Sequence, residues 1–304
     1  MIDFVGKRKI FYTISLIIIA IGIVSFATKG FVTDIEFSGG SVIEVDLGAT
    51  YENSDIEEIV KEVTGETPRV QKMGNESGKQ TSVSIGTSHL EEEKKNEIMS
   101  KLAEKYGVED IHETATFRNV SAAFGTEMKR RAVLAVVIAA VCIMAYIGIM
   151  FKVMSGFTAG FTAVCALFHD LFVMFIVYSL TGIPLNTTFV AALLTILGYS
   201  VNDTVVVYDR IRENKLANRK MSNEEVVNLS INQSIRRTVF TSITILIALV
   251  LMYSFGVYYK VSTIKDFILP LIAGVVSGTY SSLLLSGSLW ISLNNFLKNM
   301  KKAK

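Results

Sequence analysis

Asp203 lies in a stretch from about Thr188 to Val207 that is otherwise apolar enough for hydrocarbon. An Asp, Lys or Arg at the centre of a membrane span costs about 2.5–3.5 kcal/mol, so such a residue marks a partner or a water-filled path. Thr195, Tyr199, Asn202 and Asp203 recur at helical spacing, which predicts a polar stripe turned toward a bundle interior. Arg236 and Arg237 open the next apolar stretch, and Arg237, Thr241 and Thr244 share a face. An Arg at that helix end is placed to pair with Asp203 on its neighbour. A carboxylate in low dielectric holds its proton, and a nearby guanidinium releases it. Moving the Arg therefore switches the proton on or off, the logic of a proton relay. The same residues also read as a structural ion pair, or as an Arg snorkelling to the interface.

His169 and Asp170 form a second polar pair, midway along another apolar stretch. Adjacent helical residues point about 100° apart, so the two are not expected to face the interior equally. The pair reads either as part of a proton path or as structure. Other chemistries lack their residues. No Gly-rich loop leads into Lys-Ser/Thr, no His-x-x-x-His or Cys-x-x-Cys is present, and the histidines number three, His89, His112 and His169. Cys142 and Cys165 fall in apolar stretches as small hydrophobes. No metal, cofactor or enzymatic reaction is expected.

The elements that must position these groups are membrane helices. In 304 residues, half are apolar, 19% are charged and mean hydropathy is +0.43, which excludes disorder and disulfide-stapled domains. Six stretches reach the length of about 20 residues that a spanning helix needs. They are Ile10–Ala27, Ala132–Phe151, about Gly156–Thr181, about Thr188–Val207, about Thr238–Val257 and about Asp266–Leu289. Ser25-Phe26-Ala27 resembles a cleavage site, but the apolar run that ends there is 18 residues, longer than a signal h-region, so it reads as a retained span. Gly156-x-x-x-Gly160 and Gly274-x-x-x-Gly278 permit close helix approach, as does Gly198 in the fourth stretch, and Ser277, Ser281 and Ser282 add small polar contacts.

Charge is segregated. Residues 29–128 hold 20 of the 28 acidic and 10 of the 30 basic side chains, a net −10, and the rest of the chain carries +12. Basic residues cluster at 7–9, at 210–237 and in the tail, which predicts that both termini are cytoplasmic. The basic loop fits anionic membrane lipid rather than nucleic acid. Lys129, Arg130 and Arg131 end a long outer loop, where charge matters little.

Within the acidic block, Ile35–Leu47 alternates like a strand. Ser54 caps a helix that Gly65 stops, Arg69–Met73 and Thr81–Ile85 are strands joined by a turn at 74–78, Ser88 caps a helix to Tyr106, and Ile111–Val120 is a last strand. The order is that of a ferredoxin-like split β-α-β domain. The organisation expected is therefore a first helix in 1–28, an extracytoplasmic ferredoxin-like α+β domain in 29–128, helices two to six in 129–290, and a basic tail in 291–304.

Several strings together resemble one family. Gly198-Tyr-Ser-Val-Asn-Asp-Thr-Val-Val-Val-Tyr-Asp-Arg-Ile-Arg-Glu-Asn214 is similar to the signature of the SecD/SecF protein-export family, of its SecF branch in particular. So are Ala166–Asp170, Asn232–Ser242, Gly278–Ser282, and Phe37, Gly39 and Gly40 of a Phe-x-Gly-Gly element after the first span. The resemblance implies a member of the resistance-nodulation-division superfamily in the bacterial cytoplasmic membrane, paired with SecD. It implies that the pair serves the Sec channel and the exported polypeptide, using the proton gradient late in translocation. It carries the family's relay Asp onto Asp203 and its Arg partner onto Arg237. Two departures stand out: Glu36 replaces the usual Asp before Phe37, and Val120-Ser-Ala-Ala-Phe124 replaces a Gly-Pro pattern. Two other readings remain open here: a stabiliser of the Sec complex that moves no protons, and a half-transporter for lipids or small molecules.

Overall fold

The computed structural model describes residues 2–73, 81–111, 115–259 and 261–302. The turn expected at 74–78, His112 and Lys260 lie outside the described residues. Helix α1 (Arg8–Thr28) leads through a helical turn, α2 (Ile35–Ser38), into the external domain: β1 (Gly40–Asp46), α3 (Asn53–Thr64), β2 (Arg69–Met73), β3 (Ser82–Thr87), α4 (Glu92–Tyr106) and β4 (Thr116–Val120). The chain then returns through α5 (Ala122–Met150), α6 (Gly156–Thr181), α7 (Thr187–Ala217), α8 (Asn223–Tyr258), α9 (Ser262–Tyr280), a π turn (Ser281–Leu285) and α10 (Ser286–Lys302). Six helices are long and apolar enough to cross a membrane: α1, α5, α6, α7, α8, and the run from α9 through α10.

The sheet order is β2-β3-β1-β4 with every neighbour antiparallel, which is the ferredoxin-like arrangement. Ile43 stands opposite both Ile85 and Phe117, so one face of the sheet is apolar. That face packs with Ile56 and Val60 of α3 and Ile98 and Leu102 of α4 into one core. The other face, with Val42, Glu44, Ser84 and Arg118, lines a cavity of about 660 Å³ over the outer ends of the spanning helices.

Several local expectations change. Ile35–Ser38 is not strand, because the Asp34 side chain accepts from the Ile35 N–H and starts a helical turn. Gly39 (φ 73°) and Gly40 (φ 131°) then bend the chain into β1, and a Cβ at Gly39 would lie 2.6 Å from the Ala122 Cα. Neither Ser54 nor Ser88 caps a helix; the cap positions are Glu52 and Glu91, without side-chain hydrogen bonds. Gly65 and Gly107 do end α3 and α4 in the left-handed conformation. Three spanning helices overrun their apolar stretches. α5 begins at Ala122, so Lys129–Arg131 lie on a helix and residue 128 falls inside it. α7 continues to Ala217, and α8 starts at a capping box between Ser222 and Glu225, leaving only residues 218–222 between them. The overrun is held by packing: Val207, Tyr208, Ile211, Val226, Val227 and Ile231 share a buried core with Trp290.

In the bundle, α6 is central and touches α1, α5, α7, α9 and α10, while α8 packs on α7 and α9. Large apolar side chains on the outward faces of α1, α5 and α8, such as Leu16, Val137 and Leu251, stay exposed in the chain. That is the surface a lipid bilayer covers. Close approach occurs where small residues allow it. A Cβ at Gly156 would meet the Gly148 carbonyl oxygen at 2.0 Å, one at Gly160 the Met144 oxygen at 2.7 Å, and one at Gly274 the Ile196 side chain at 2.6 Å. At Gly278 the neighbour is Ser200, at 3.2 Å. A Cβ at Gly198 would meet nothing within 4 Å among the described residues, so no close helix approach occurs there, a correction to the expectation.

Candidate functional site

The centre of the bundle is polar and hydroxyl-rich. Asp170 on α6 is 0% exposed. Its Oδ2 accepts from Ser200 Oγ of α7 at 2.6 Å and from Ser281 Oγ of the π turn at 2.7 Å, and its Oδ1 accepts from Ser277 Oγ of α9 at 2.7 Å. His169 Nδ1 lies 3.2 Å from the same Oδ1, while its Nε2 is buried without a partner. Both members of the pair are thus buried, but unequally: Asp170 is 0% exposed with both oxygens bonded, and His169 is 9% exposed with one ring nitrogen unpartnered. The reason is the position of α6: five helices pack around it, and His169 and Asp170 both fall on the enclosed side while Phe168 takes the exposed one.

The network continues along α7. Ser282 Oγ donates to the Ser200 carbonyl, Thr204 and Ser282 hydroxyls lie 2.9 Å apart, and Tyr199 OH bonds Ser242 at 2.7 Å and Thr279 at 3.1 Å. The π turn matters here. It adds a residue to the helical turn after Tyr280 and aims Ser281 at Asp170 and Ser282 at α7.

Asp203 stands beside this network, 2% exposed, with its Oδ2 buried and unpartnered. Such an orphaned carboxylate oxygen in a buried site marks functional chemistry or a place for water. Arg237 lies within electrostatic reach of it. The expected ion pair is absent, however: the two groups are not within 4.0 Å, and Arg237 is exposed. The buried polar face of α8 is Ser230, Ser234, Thr238 and Ser242, whereas the face expected from the sequence, Arg237, Thr241 and Thr244, points out. The stripe on α7 divides in the same way. Asp203 is buried and Tyr199 half-buried, but Thr195 and Asn202 are exposed. Sequence reasoning missed Ser200, although Ser200 and Thr204, four residues apart, formed a readable second face.

At the outer end, Phe37 is buried, and Glu36 Oε2 accepts from the Thr187 backbone N–H at 2.8 Å and from Thr187 Oγ1 at 2.7 Å, at the start of α7.

These features define a multi-pass membrane protein of six spanning helices, with a buried polar centre and a ferredoxin-like domain inserted after the first helix. Residues 99–296 match the family model described as "Protein export membrane protein SecD/SecF, C-terminal". The chain is 35% identical to the protein translocase subunit SecF of Thermobaculum terrenum, with 100% of this chain and 98% of that protein covered. It is 34% identical to that of Petrotoga mobilis, with 99% of each covered. Against the SecDF subunit of Bacillus subtilis it is 30% identical over 95% of its own length but only 38% of that longer protein. The crystal structure of SecDF, a translocon-associated membrane protein from Thermus thermophilus, superimposes on 97% of this chain and 39% of that one, with a TM-score of 0.81 and 29% identity. The chain belongs to the SecD/SecF family of protein-export membrane proteins.

Proposed function

We propose that this chain works with SecD as a proton-driven subunit in late protein export, with Asp203 as the group that carries the proton. The observation that carries this reading is the buried Asp203 Oδ2 without a partner, beside a chain of hydroxyls and within electrostatic reach of the exposed Arg237. An assembly clamp would have the two charges paired, and their separation favours a site that changes partners. Protonation from outside removes the attraction between Asp203 and Arg237. α7 and α8 then shift, the external domain moves, and release of the proton to the cytoplasm resets the cycle. The scale is sufficient, since one charge crossing 100 mV supplies about 2.3 kcal/mol. His169 and Asp170 support the site from behind, holding α6, α7 and α9 together.

The pairing with SecD has its own support. Thr195 and Asn202 on α7 and Arg237, Thr241 and Thr244 on α8 leave a polar face exposed on spanning helices. The three Thr hydroxyls donate to carbonyls of their own helices, at Ala191, Arg237 and Phe240, but the Asn202 amide and the Arg237 guanidinium are groups that lipid does not satisfy and a second membrane subunit does. The basic ends of α7 and α8, with the two termini, orient the chain with 218–222 cytoplasmic and the sheet domain outside, where it meets the exported polypeptide. The Sec channel is the third member of the assembly.

The experiment is Asp203→Asn in membrane vesicles holding the assembled complex. Loss of gradient-stimulated export with the complex intact is the expected result. Normal gradient-dependent export sinks the relay, and dissociation of the complex assigns Asp203 to assembly instead.

A further inference from the structure

Glu36 sits at the junction of the external domain and the helix that bears Asp203. Its single carboxylate oxygen takes both the backbone N–H and the hydroxyl of Thr187, the first residue of α7. The first N–H groups of a helix lack intrahelical partners, and the helix dipole favours an anion there. Asn186 satisfies the Phe189 N–H at 3.0 Å, so Glu36 and Asn186 divide the open end of α7 between them.

The segment around Glu36 is tied on both sides. Before it, the Leu185 N–H donates to the Val32 oxygen at 2.8 Å and the Asp34 N–H to the Leu185 oxygen at 2.9 Å, a short parallel pairing with the loop that enters α7. After it, Gly39 and Gly40 pass directly into β1, the strand bonded to both β3 and β4. A Cβ at Gly125 of α5 would lie 2.9 Å from the Phe37 carbonyl carbon and oxygen, so α2 has no slack against α5. A second charge group bridges the same gap. Burial pushes the Arg69 guanidinium pKa down, and the carboxylates of Asp34 and of Asp266 at the outer end of α9 push it back up.

We propose that Glu36 is a positioning residue: the tie through which movement of α7 is passed to the external domain. This rests on the proton-driven reading for its purpose, though not for its geometry. Asp203 lies 16 residues along α7 from Thr187, roughly 24 Å at the helical rise, and a packed helix moves as a rod over that length. Glu36 is half-buried. The bond can therefore break without leaving an unpaired charge in a dry interior, which suits a contact remade in every cycle.

The test uses the complex with its partner subunit in proteoliposomes, with Cys142 and Cys165 replaced by Ala and spin labels at the exposed positions Lys94 of α4 and Tyr258 of α8. Glu36→Gln keeps the shape and removes the charge. The expected result is a broadened and shifted label distance, and a roughly tenfold fall in the gradient-dependent part of export, the factor one charge-assisted hydrogen bond supplies. The gradient-independent part and the melting midpoint stay unchanged, and Glu36→Asp restores most of the lost function. If Glu36→Gln fails to fold, Thr187→Val removes only the hydroxyl bond and is read in the same way. A distance distribution superimposable on that of the unsubstituted protein, or a shifted one with normal export, overturns the proposal. The two readings fail separately: normal gradient-dependent export by Asp203→Asn removes the relay and leaves the tie, whereas unchanged distances in Glu36→Gln remove the tie and leave the relay.

Discussion

Asp170 and Asp203 are both buried carboxylates in opposite conditions. Asp170 has three serine hydroxyls on its two oxygens, and Asp203 has an oxygen with no donor at all. Their substitutions should therefore separate. Asp170→Asn replaces an acceptor oxygen with a donor, strands at least one buried hydroxyl and should cost about 2–4 kcal/mol, read as a lowered melting midpoint in detergent. Asp203→Asn removes a buried charge yet keeps an oxygen for Tyr199, so the midpoint should hold or rise while gradient-driven export is lost. A second residue-scale outcome lies in the external domain. Tyr51 OH donates to the Ser82 oxygen at 2.7 Å, and burial, foremost, pushes its pKa up to about 12. The unfolded phenol ionises near its ordinary value of about 10. Between those values the unfolded state binds fewer protons, so stability present below about pH 10 falls as pH rises toward 12. Amide exchange of β1 and β3 should speed up across that window, and Tyr51→Phe should flatten the dependence.

At the scale of elements, the glycines on the spanning helices sort into two kinds. Gly274 faces Ile196 so closely that Gly274→Leu must part α7 from α9, and folded yield should drop sharply. Gly198 has open space around it, and Gly198→Ala should leave the isolated chain as stable or up to about 1 kcal/mol more stable, from helix propensity alone. Melting of the two purified variants settles the contrast. The π turn belongs to this scale too. Apolar periodicity shows one continuous last span, but the extra residue at Ser281–Leu285 sets which serines meet Asp170. A one-residue change in winding leaves hydropathy untouched, so no sequence pattern reports it. Helix overrun escaped for a related reason: the ends of α7 and α8 are polar enough to read as loop, and their helicity comes from packing on Trp290.

At the scale of the whole molecule, the exposed polar face of α7 and α8 says that the six-helix bundle is half of something. Gly198 and Asn202 lie on that face, exposed. Gly198→Leu should leave the chain folded yet reduce co-purification of SecD, because the added volume stands where the partner helix must come close; equal recovery of SecD would place the contact elsewhere. The sheet domain is joined to α7 through Glu36 and faces α9 through Arg69, so two of the helices around the buried polar centre are also tied to the sheet domain. The number of spans and the strand order were both open to reading from the residues alone. Each span must satisfy its own backbone in hydrocarbon, and each strand must show its own alternation, so those signals are local. What the tertiary structure alone decided is which way each helix is turned about its axis. It put Ser200 and Asp203 inside and Asn202 and Thr195 outside, buried both His169 and Asp170, and held Arg237 apart from Asp203. Rotation of a helix is set by all its neighbours at once, and no single stretch of sequence contains them.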